Sequence, residues 1–142
     1  MNQASKPRVL IVDDENFYTE VLDNLLRDDY DIDIVGNGSG ALQRAESDPR
    51  PDLILLDIMM EDIDGYEVCK KLKANALTAD IPVIFLTVRS DVDDEVHGFD
   101  LGAVDYITKP MSPPIVRARV RTHIEIQQLR KKLEKLLAER DK

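Results

Sequence analysis

The sequence predicts an α/β fold in which a doubly wound sheet of five parallel strands is flanked by helices and followed by an extended C-terminal helix. Two observations lead to this prediction. Five short apolar runs alternate with longer amphipathic segments along the 142 residues, and no glycine or proline follows Pro114 in the last segment. Strands that alternate with helices form βαβ crossovers, which produce a parallel sheet covered on both faces.

The first strand is predicted at residues 8–12, where Arg-Val-Leu-Ile-Val is almost entirely apolar and rich in β-branched residues. A run without polar alternation is typical of a strand that is buried on both faces. The same signal recurs at residues 32–35, 53–56, 83–86 and 103–107.

Amphipathic helices are predicted between these strands, because their apolar residues recur at helical spacing. A weaker pattern covers residues 92–101. The apolar residues of the first three helices are, in chain order, Phe17, Val21, Leu22, Leu25, Leu26, Ala41, Leu42, Ala45, Tyr66, Val68, Cys69 and Leu72.

The last helix is predicted to run for roughly 40 Å at about 1.5 Å per residue. Its first half places Val116, Val120 and Ile124 on a stripe that would face the core. We therefore divide the chain into a leader at residues 1–7, a domain at residues 8–125 and a helical extension at residues 126–142.

The extension has the spacing of a short coiled coil, with Glu125 at position g and Arg130 at position e, where the two charges could meet in a parallel pair. Two interpretations remain open: a dimer seam that links to an output domain, or a solvated helix docked on its own domain. The residues at positions a and d are Ile126, Leu129, Leu133 and Leu136.

The composition is that of a globular protein, with 43% hydrophobic and 33% charged residues. No apolar run approaches the roughly 20 residues that span a bilayer, and the N-terminal residues have no signal-peptide core. The single cysteine excludes an internal disulfide, so we expect a cytoplasmic protein. A net charge of -9 argues against direct binding to nucleic acid or an anionic membrane.

Polar residues follow four of the predicted strands. Asp13 and Asp14 follow the first, Asp57 the third, Thr87 the fourth and Lys109 the fifth. The carboxyl ends of parallel strands lie at one edge of the sheet, where ligands bind in such folds. Clustered carboxylates bind cations or take raised pKa values. Oxygen ligands favour Mg²⁺. A carboxylate flanked by Mg²⁺, a lysine and a hydroxyl can stabilise a phosphoryl group in transfer, so the pattern predicts a site for this chemistry.

At these positions the sequence resembles the receiver domains of two-component response regulators. The resemblance covers residue 8 to about residue 123 and rests on four motifs in the family's order. The motifs are VLIVDDE at residues 9–15, LILLDIMMEDIDGYE at 53–67, IPVIFLT at 81–87 and GAVDYITKP at 102–110. The resemblance implies a flavodoxin-like strand order of 2-1-3-4-5.

The resemblance also implies the role of each site residue. Asp57 is expected to accept a phosphoryl group from a sensor histidine kinase or a histidine phosphotransfer protein. Asp13, Asp14, Asp57 and the backbone carbonyl of Met59 are expected to bind Mg²⁺ or Mn²⁺. Such a domain catalyses only its own phosphorylation and dephosphorylation.

Three further residues are expected to respond to phosphorylation. Lys109 pairs with the phosphoryl group and precedes a cis peptide bond to Pro110. Thr87 contacts the phosphoryl oxygens, and Tyr106 turns inward behind it. The resulting change would act on a homodimer, formed through the C-terminal helix or through the fourth helix and fifth strand, or on an output domain. The run at residues 113–129 resembles receivers that precede cyclic-dinucleotide synthesis or hydrolysis domains, and a stand-alone receiver is the alternative.

The sequence departs from the family at two positions beside the phosphoacceptor. Glu61 stands where proline is usual, so we expect a more mobile and more negative loop. Val88 stands where a small residue is usual. We expect it to narrow the access of a phosphodonor or of water to Asp57, which would slow the entry or loss of the phosphoryl group. Met59 and Arg89 are further candidates for tuning hydrolysis.

Two rival functions are kept. A haloacid-dehalogenase-type phosphatase also uses an aspartyl phosphate, but it expects an Asp-x-Asp nucleophile after the first strand. A non-phosphorylated adaptor would keep only the fold.

Several other reactive side chains are interpreted as structural. His97 and His123 are expected to be solvated or locally bonded, and Cys69 to be a small core residue. The acidic residues Asp91, Asp93, Asp94 and Glu95 are expected to be a solvated helix N-terminus.

Overall fold

The computed structural model describes residues 6–88 and 92–140, with the side chains of residues 92–95 outside that description. Strands and helices alternate along the chain as the sequence predicts. In chain order they are β1 (Arg8–Val12), α1 (Asn16–Leu26), β2 (Asp31–Val35), α2 (Gly38–Glu46), β3 (Leu53–Asp57), α3 (Gly65–Ala74), β4 (Val83–Thr87), α4 (Val92–Asp100), β5 (Asp105–Thr108) and α5 (Pro113–Arg140).

The strands form one parallel sheet in the order β2-β1-β3-β4-β5, which confirms the predicted fold class. Its register aligns the carboxyl ends of the central strands. Val12 lies opposite Leu56 and Asp57 lies opposite Leu86, so the residues that follow β1 emerge beside the end of β3. The polar residues at the strand ends therefore share one edge of the sheet.

Alternate residues of the central strands fill two hydrophobic cores. Leu10 and Val12 of β1 face the core beneath α2 and α3, whereas Val9 and Ile11 face the core beneath α1 and α5. All four side chains are 0% exposed. Fully burying an aliphatic side chain contributes about 1.5–3 kcal/mol, which explains why these strands have no polar alternation.

The strand boundaries differ slightly from the sequence prediction at the sheet edges. β5 begins at Asp105 rather than at residue 103, because Gly102 has a φ of 105° and turns the chain out of α4 first. A glycine at this left-handed position is a common helix end. At their carboxyl ends, β3 and β4 each extend one residue beyond the prediction, so Asp57 and Thr87 are part of their strands.

The helix α5 is continuous from Pro113 to Arg140 and docks on the sheet through its first half. The predicted stripe of Val116, Val120 and Ile124 is buried, as expected. Docking continues past residue 125, because Gln127 is only 4% exposed and its Nε2 donates to the Asp80 carbonyl at 3.0 Å. Among the residues that the structure describes, no helix is both long and apolar enough to span a membrane.

From Ile126 onwards, overlapping the end of this docked part, α5 carries a stripe of solvent-exposed apolar side chains. At about 3.6 residues per turn, this stripe lies on the side of the helix that faces away from the sheet. Its members are 50–66% exposed and are Ile126, Leu129, Leu133, Leu136 and Leu137.

Candidate functional site

The carboxyl edge of the sheet brings together two buried carboxylates and one buried amine. Asp13 follows β1, Asp57 ends β3 and Lys109 follows β5, and they are 2%, 3% and 2% exposed respectively. Thr87 lines the same pocket as Asp57 and Lys109, and Asp14 lies beside Asp13 with an exposed side chain. The sequence prediction that these side chains converge is therefore confirmed.

Lys109 is the centre of the charge network. Its Nζ lies 2.8 Å from Oδ2 of Asp13, 3.3 Å from Oδ1 of Asp57 and 3.7 Å from Oε1 of Glu15. The peptide bond between Lys109 and Pro110 is cis, as expected. Burial lowers the pKa of Lys109, but the neighbouring Asp13 and Asp57 carboxylates outweigh burial and raise that pKa above its ordinary value.

The environment of Asp57 opposes its ionisation. Burial, followed by the negative charge of Asp13, raises the pKa of Asp57 to about 6, although the Lys109 ammonium acts in the opposite direction. The Met59 amide donates to Oδ1 of Asp57 at 3.4 Å. The other oxygen, Oδ2, is buried and has no hydrogen-bond partner within residues 6–88 and 92–140. A buried carboxylate oxygen without a partner is costly, so the site favours a cation or a donor at this atom.

Four carboxylates lie close enough to share one metal ion. Asp13, Asp14, Glu15 and Asp57 each offer an oxygen, and these oxygens lie within 4.8 Å of one another. An oxygen-only set of this kind suits Mg²⁺, which is usually bound by one or two carboxylates together with water and phosphate oxygens. Glu15, the third acidic residue of the run that begins at Asp13, is not among the metal ligands predicted from the sequence.

A pocket of about 260 Å³ opens onto Asp57 between β3, β4 and Lys109. Met59 and Val88 line it and are 74% and 64% exposed, so apolar side chains border an acidic interior. The effect of Val88 on access stays a prediction, and Arg89 lies outside the described residues.

The loop that follows Asp57 is bound to α2 by the Asp62 side chain, which is not among the residues predicted from the sequence. Asp62 accepts hydrogen bonds from the backbone amides of Gly38 and Ser39, both at 3.0 Å, and from the Ser39 hydroxyl at 2.9 Å. The two amide bonds hold the pKa of Asp62 well below its usual range. The loop that contains Glu61 is thus anchored at the next residue, Asp62. The hydrogen bond from Ser39 to Asp62 joins residues 23 positions apart, so no local sequence pattern indicates it.

The loop re-enters the fold at Gly65, directly beside the phosphoacceptor candidate. The Asp64 side chain accepts from the Glu67 amide at 2.9 Å and caps α3. A Cβ atom at Gly65 would lie 2.3 Å from the backbone oxygen of Asp57. Only glycine therefore permits the close approach of α3 to the end of β3.

The ring of Tyr106 lies in the interior in this structure. The residue is 4% exposed, and its ring contacts Phe85 and Phe99 at centroid distances of 5.6 and 5.2 Å. Its hydroxyl occupies a recess over Gly98, where a Cβ would lie 1.8 Å from the hydroxyl oxygen. On the outer edge of β5, Arg119 donates to the Tyr106 carbonyl.

The remaining candidates lie outside the acidic pocket. His97 is exposed, and its ring centroid lies 4.7 Å from that of Tyr66. His123 Nε2 lies 3.0 Å from Oδ2 of Asp105. Cys69 is buried in the core, as expected. Asp91 lies outside the described residues, as do the side chains at positions 93, 94 and 95.

Comparison with known proteins finds one family over most of the chain. The family model for the response regulator receiver domain matches residues 9–121. The alkaline phosphatase synthesis transcriptional regulatory protein PhoP of Bacillus subtilis is 44% identical over 115 residues, which are 80% of this chain and 47% of PhoP. The "probable cyclic di-GMP phosphodiesterase" of Vibrio cholerae is 43% identical over 125 residues, which are 88% of this chain and 28% of that protein.

A solved structure extends the similarity to the fold. The CheY-like response regulator receiver domain protein of Methanospirillum hungatei has a TM-score of 0.81 at 25% identity, covering 89% of this chain and 99% of that chain. The chain spans less than half the length of either curated relative.

Proposed function

Because the chain belongs to the family of response regulator receiver domains, we propose that Asp57 accepts a phosphoryl group from a phosphohistidine of a sensor histidine kinase or a histidine phosphotransfer protein. One observation carries this proposal. Asp57 is a buried carboxylate with one oxygen 3.3 Å from the Lys109 ammonium and the other without a hydrogen-bond partner among the described residues. The second oxygen is thus available as the nucleophile.

The transfer step needs little covalent machinery from the protein. An oxygen of Asp57 attacks the phosphorus in line, the phosphorus–nitrogen bond breaks, and its electron pair returns to the donor imidazole. The product is an acyl phosphate on Asp57. Lys109 pairs with a phosphoryl oxygen, because its ammonium already lies beside the attacking carboxylate. Positioning and charge neutralisation are the main contributions of proteins to this chemistry.

The acidic cluster fits Mg²⁺, or Mn²⁺ in its place. Asp13 and Asp57 would hold the ion, with Asp14 and the backbone carbonyl of Met59 completing the protein's ligands. When bound, the ion supplies positive charge to the phosphoryl oxygens. The fit rests on the chemistry of the donor set, because the four carboxylates each offer an oxygen and these oxygens lie within 4.8 Å of one another.

We propose that the signal leaves the site through β4, β5 and α5. Thr87 ends β4 beside the pocket, and it would contact a phosphoryl oxygen. Tyr106 would hold its inward position behind Thr87 in the phosphorylated state. Because Arg119 of α5 donates to the Tyr106 carbonyl, a shift of β5 would reach α5 directly. Such a local charge change that biases a two-state element is the usual form of a phosphorylation switch.

The output is proposed to lie in a further segment or in a partner, because the curated relatives are more than twice as long as their matched part. The match to the Vibrio cholerae protein extends over 125 residues, ten more than the match to PhoP. Together with the resemblance of residues 113–129, this supports a cyclic-dinucleotide output. We propose a cytoplasmic site of action from the single cysteine of the chain.

We propose that a second copy of this chain covers the exposed stripe on α5. A parallel pair would bury Leu129 and Leu133 of both copies, and Glu125 of one helix would face Arg130 of the other. The alternative dimer face includes Phe99 of α4 and Val104, the residue before β5, which are 48% and 39% exposed.

Sedimentation with and without beryllofluoride and Mg²⁺ tests the dimer. Leu133→Glu places a charge in the seam and is expected to abolish the dimer. Ala138→Glu adds the same charge at the outer position f of the same helix and serves as the control. A Leu133→Glu variant that sediments like the wild type would refute the α5 seam and favour the α4–β5 face.

Mass spectrometry after incubation with acetyl phosphate and Mg²⁺ tests the phosphoacceptor. The wild type is expected to gain one phosphoryl group, whereas Asp57→Asn, which keeps the shape of the side chain, is expected to gain none. Modification of Asp57→Asn to the wild-type extent would overturn the assignment. Sustained turnover of a generic phosphomonoester would favour the phosphatase, and no response to acetyl phosphate or beryllofluoride would favour the adaptor.

A further inference from the structure

The Lys109 ammonium is surrounded by three carboxylates and one aromatic ring. The carboxylates are those of Asp13, Asp57 and Glu15, at 2.8–3.7 Å. The ring is that of Tyr18, whose centroid lies 4.4 Å from Nζ. The Lys109 side chain is 1% exposed. A cation over an aromatic face is attracted by the negative charge of that face, and the attraction is strongest where water is excluded.

Tyr18 differs from the carboxylates in how its attraction for Lys109 responds when the site binds a cation or a phosphoryl group. Asp13, Glu15 and Asp57 are all members of the acidic cluster. Carboxylates that bind a cation or carry a phosphoryl group have less charge to offer Lys109. The contact of Tyr18 with Lys109 is made by the neutral face of its ring, so its attraction for the ammonium persists in every state of the site.

The local structure fixes the ring in this position. Tyr18 lies in the first turn of α1, and its amide donates to the Glu15 carbonyl at 3.1 Å. The ring of Phe17 packs edge-on against it at 5.2 Å. The short connection from β1 to α1 thus places the Asp13 carboxylate and the Tyr18 ring on two sides of the same ammonium.

We propose that Tyr18 is a positioning residue for phosphoryl transfer, which holds the Lys109 ammonium against the phosphoryl site while the carboxylates exchange partners. This inference rests on the proposed role of Asp57 as phosphoacceptor. The ring, not the hydroxyl, carries the effect, so phenylalanine at position 18 preserves it and leucine removes it.

The first test compares Tyr18→Leu with Tyr18→Phe. The rate of phosphorylation by acetyl phosphate with Mg²⁺ is expected to fall about threefold to thirtyfold in Tyr18→Leu, since cation–π contacts reach the upper figure when water is excluded. Tyr18→Phe is expected to stay within about twofold of the wild type, because the aromatic face is retained. Acetyl phosphate is used because it is small and does not depend on a protein surface around α1.

The second test needs neither metal nor phosphorylation. In the NMR spectrum of the metal-free protein, the ring current of Tyr18 is expected to shift the Hε resonances of Lys109 upfield. The shift is expected to persist in Tyr18→Phe and to disappear in Tyr18→Leu. Melting temperatures of the three proteins show whether the substitutions act through folding instead.

The outcomes separate this inference from the proposed function. Phosphorylation of Tyr18→Leu at the wild-type rate, or an equal loss in Tyr18→Phe, would overturn the positioning role. An unchanged Lys109 resonance in Tyr18→Leu would overturn the contact itself. A wild type that is not phosphorylated would instead overturn the proposed function and, with it, the kinetic role of Tyr18, whereas the Lys109 resonance still reports the contact.

Discussion

Gly98 decides where the Tyr106 ring can lie, and the structure gives the consequence of filling its recess. A Cβ at residue 98 would lie 1.8 Å from the Tyr106 hydroxyl oxygen, 2.8 Å from its ring Cζ and 3.0 Å from Cδ2 of Phe85. The first two distances are far below van der Waals contact. Because the closest atom is the end of a side chain rather than backbone, we expect Gly98→Ala to displace the Tyr106 ring and leave the backbone intact.

Two opposing contributions set the effect of Gly98→Ala on stability. Gly98 lies in the last turn of α4, and replacing a glycine inside a helix by alanine stabilises the helix by up to about 0.5–1 kcal/mol. Moving a large apolar side chain out of the core forfeits about 1.5–3 kcal/mol. We therefore expect a net destabilisation of about 0.5–2.5 kcal/mol, obtained from these two ranges.

The position of the ring is measured by ¹⁹F NMR of fluorotyrosine-labelled protein, with Tyr106→Phe used to assign the resonance. We expect the Tyr106 resonance to become solvent-accessible in Gly98→Ala, and beryllofluoride with Mg²⁺ to bind more weakly. In the Tyr106→Phe background the same substitution is expected to cost less stability, because the closest clashing atom is gone. A Gly98→Ala protein that unfolds at higher denaturant while Tyr106 remains buried would refute this reasoning.

Three further predictions concern the supports of the site and of α5. Gly65→Ala is expected to destabilise the fold by about 1–3 kcal/mol in urea unfolding, since its Cβ would lie 2.3 Å from the backbone oxygen of Asp57; an unchanged midpoint would contradict the close approach. Asp62 has a pKa held below its unfolded value by amide hydrogen bonds, so its contribution to stability is present above about pH 4 and is lost as the pH falls through the folded pKa. In unfolding curves, the stability of Asp62→Asn should fall less steeply than that of the wild type as the pH is lowered. The same loss of stability in both proteins would exclude a contribution from Asp62. Gln127→Ala is expected to cost about 1 kcal/mol, because the buried Gln127 side chain loses its hydrogen bond to the Asp80 carbonyl. Lys131→Ala is expected to cost less, because an exposed ion pair contributes about 0–1 kcal/mol. The reverse order of the two losses in stability would contradict the docking of α5 through Gln127.

The sequence predicts the elements best where one physical constraint acts on consecutive residues. The central strands are buried on both faces, which explains their continuous apolar runs, and the predicted and observed strands agree to within one residue. The start of β5 is less well predicted, because Ala103 is apolar and buried but belongs to the turn after Gly102. Hydrophobicity reports burial, whereas the turn depends on a backbone angle.

The candidate site follows the same division. Parallel strands place their carboxyl ends at one edge, so the order of the strands is enough to predict that Asp13, Asp57 and Lys109 meet. Glu15 was available in the same acidic run but was not distinguished from a surface residue, because its inclusion depends on the path of the β1–α1 connection. That path is a property of the folded chain.

The sequence by itself determined the fold class and the residues gathered at the carboxyl edge, because these depend on periodicity and chain order. Its four motifs determined the family through their resemblance to known receiver domains. The tertiary structure alone decided that Tyr18 faces the Lys109 ammonium, that Asp62 caps α2, that Gln127 docks α5 on Asp80, and that Tyr106 fills the recess over Gly98. Most of these contacts join residues far apart in the chain, and all depend on side-chain direction in space. Local sequence patterns report which residues are buried, but not which distant residue each one meets.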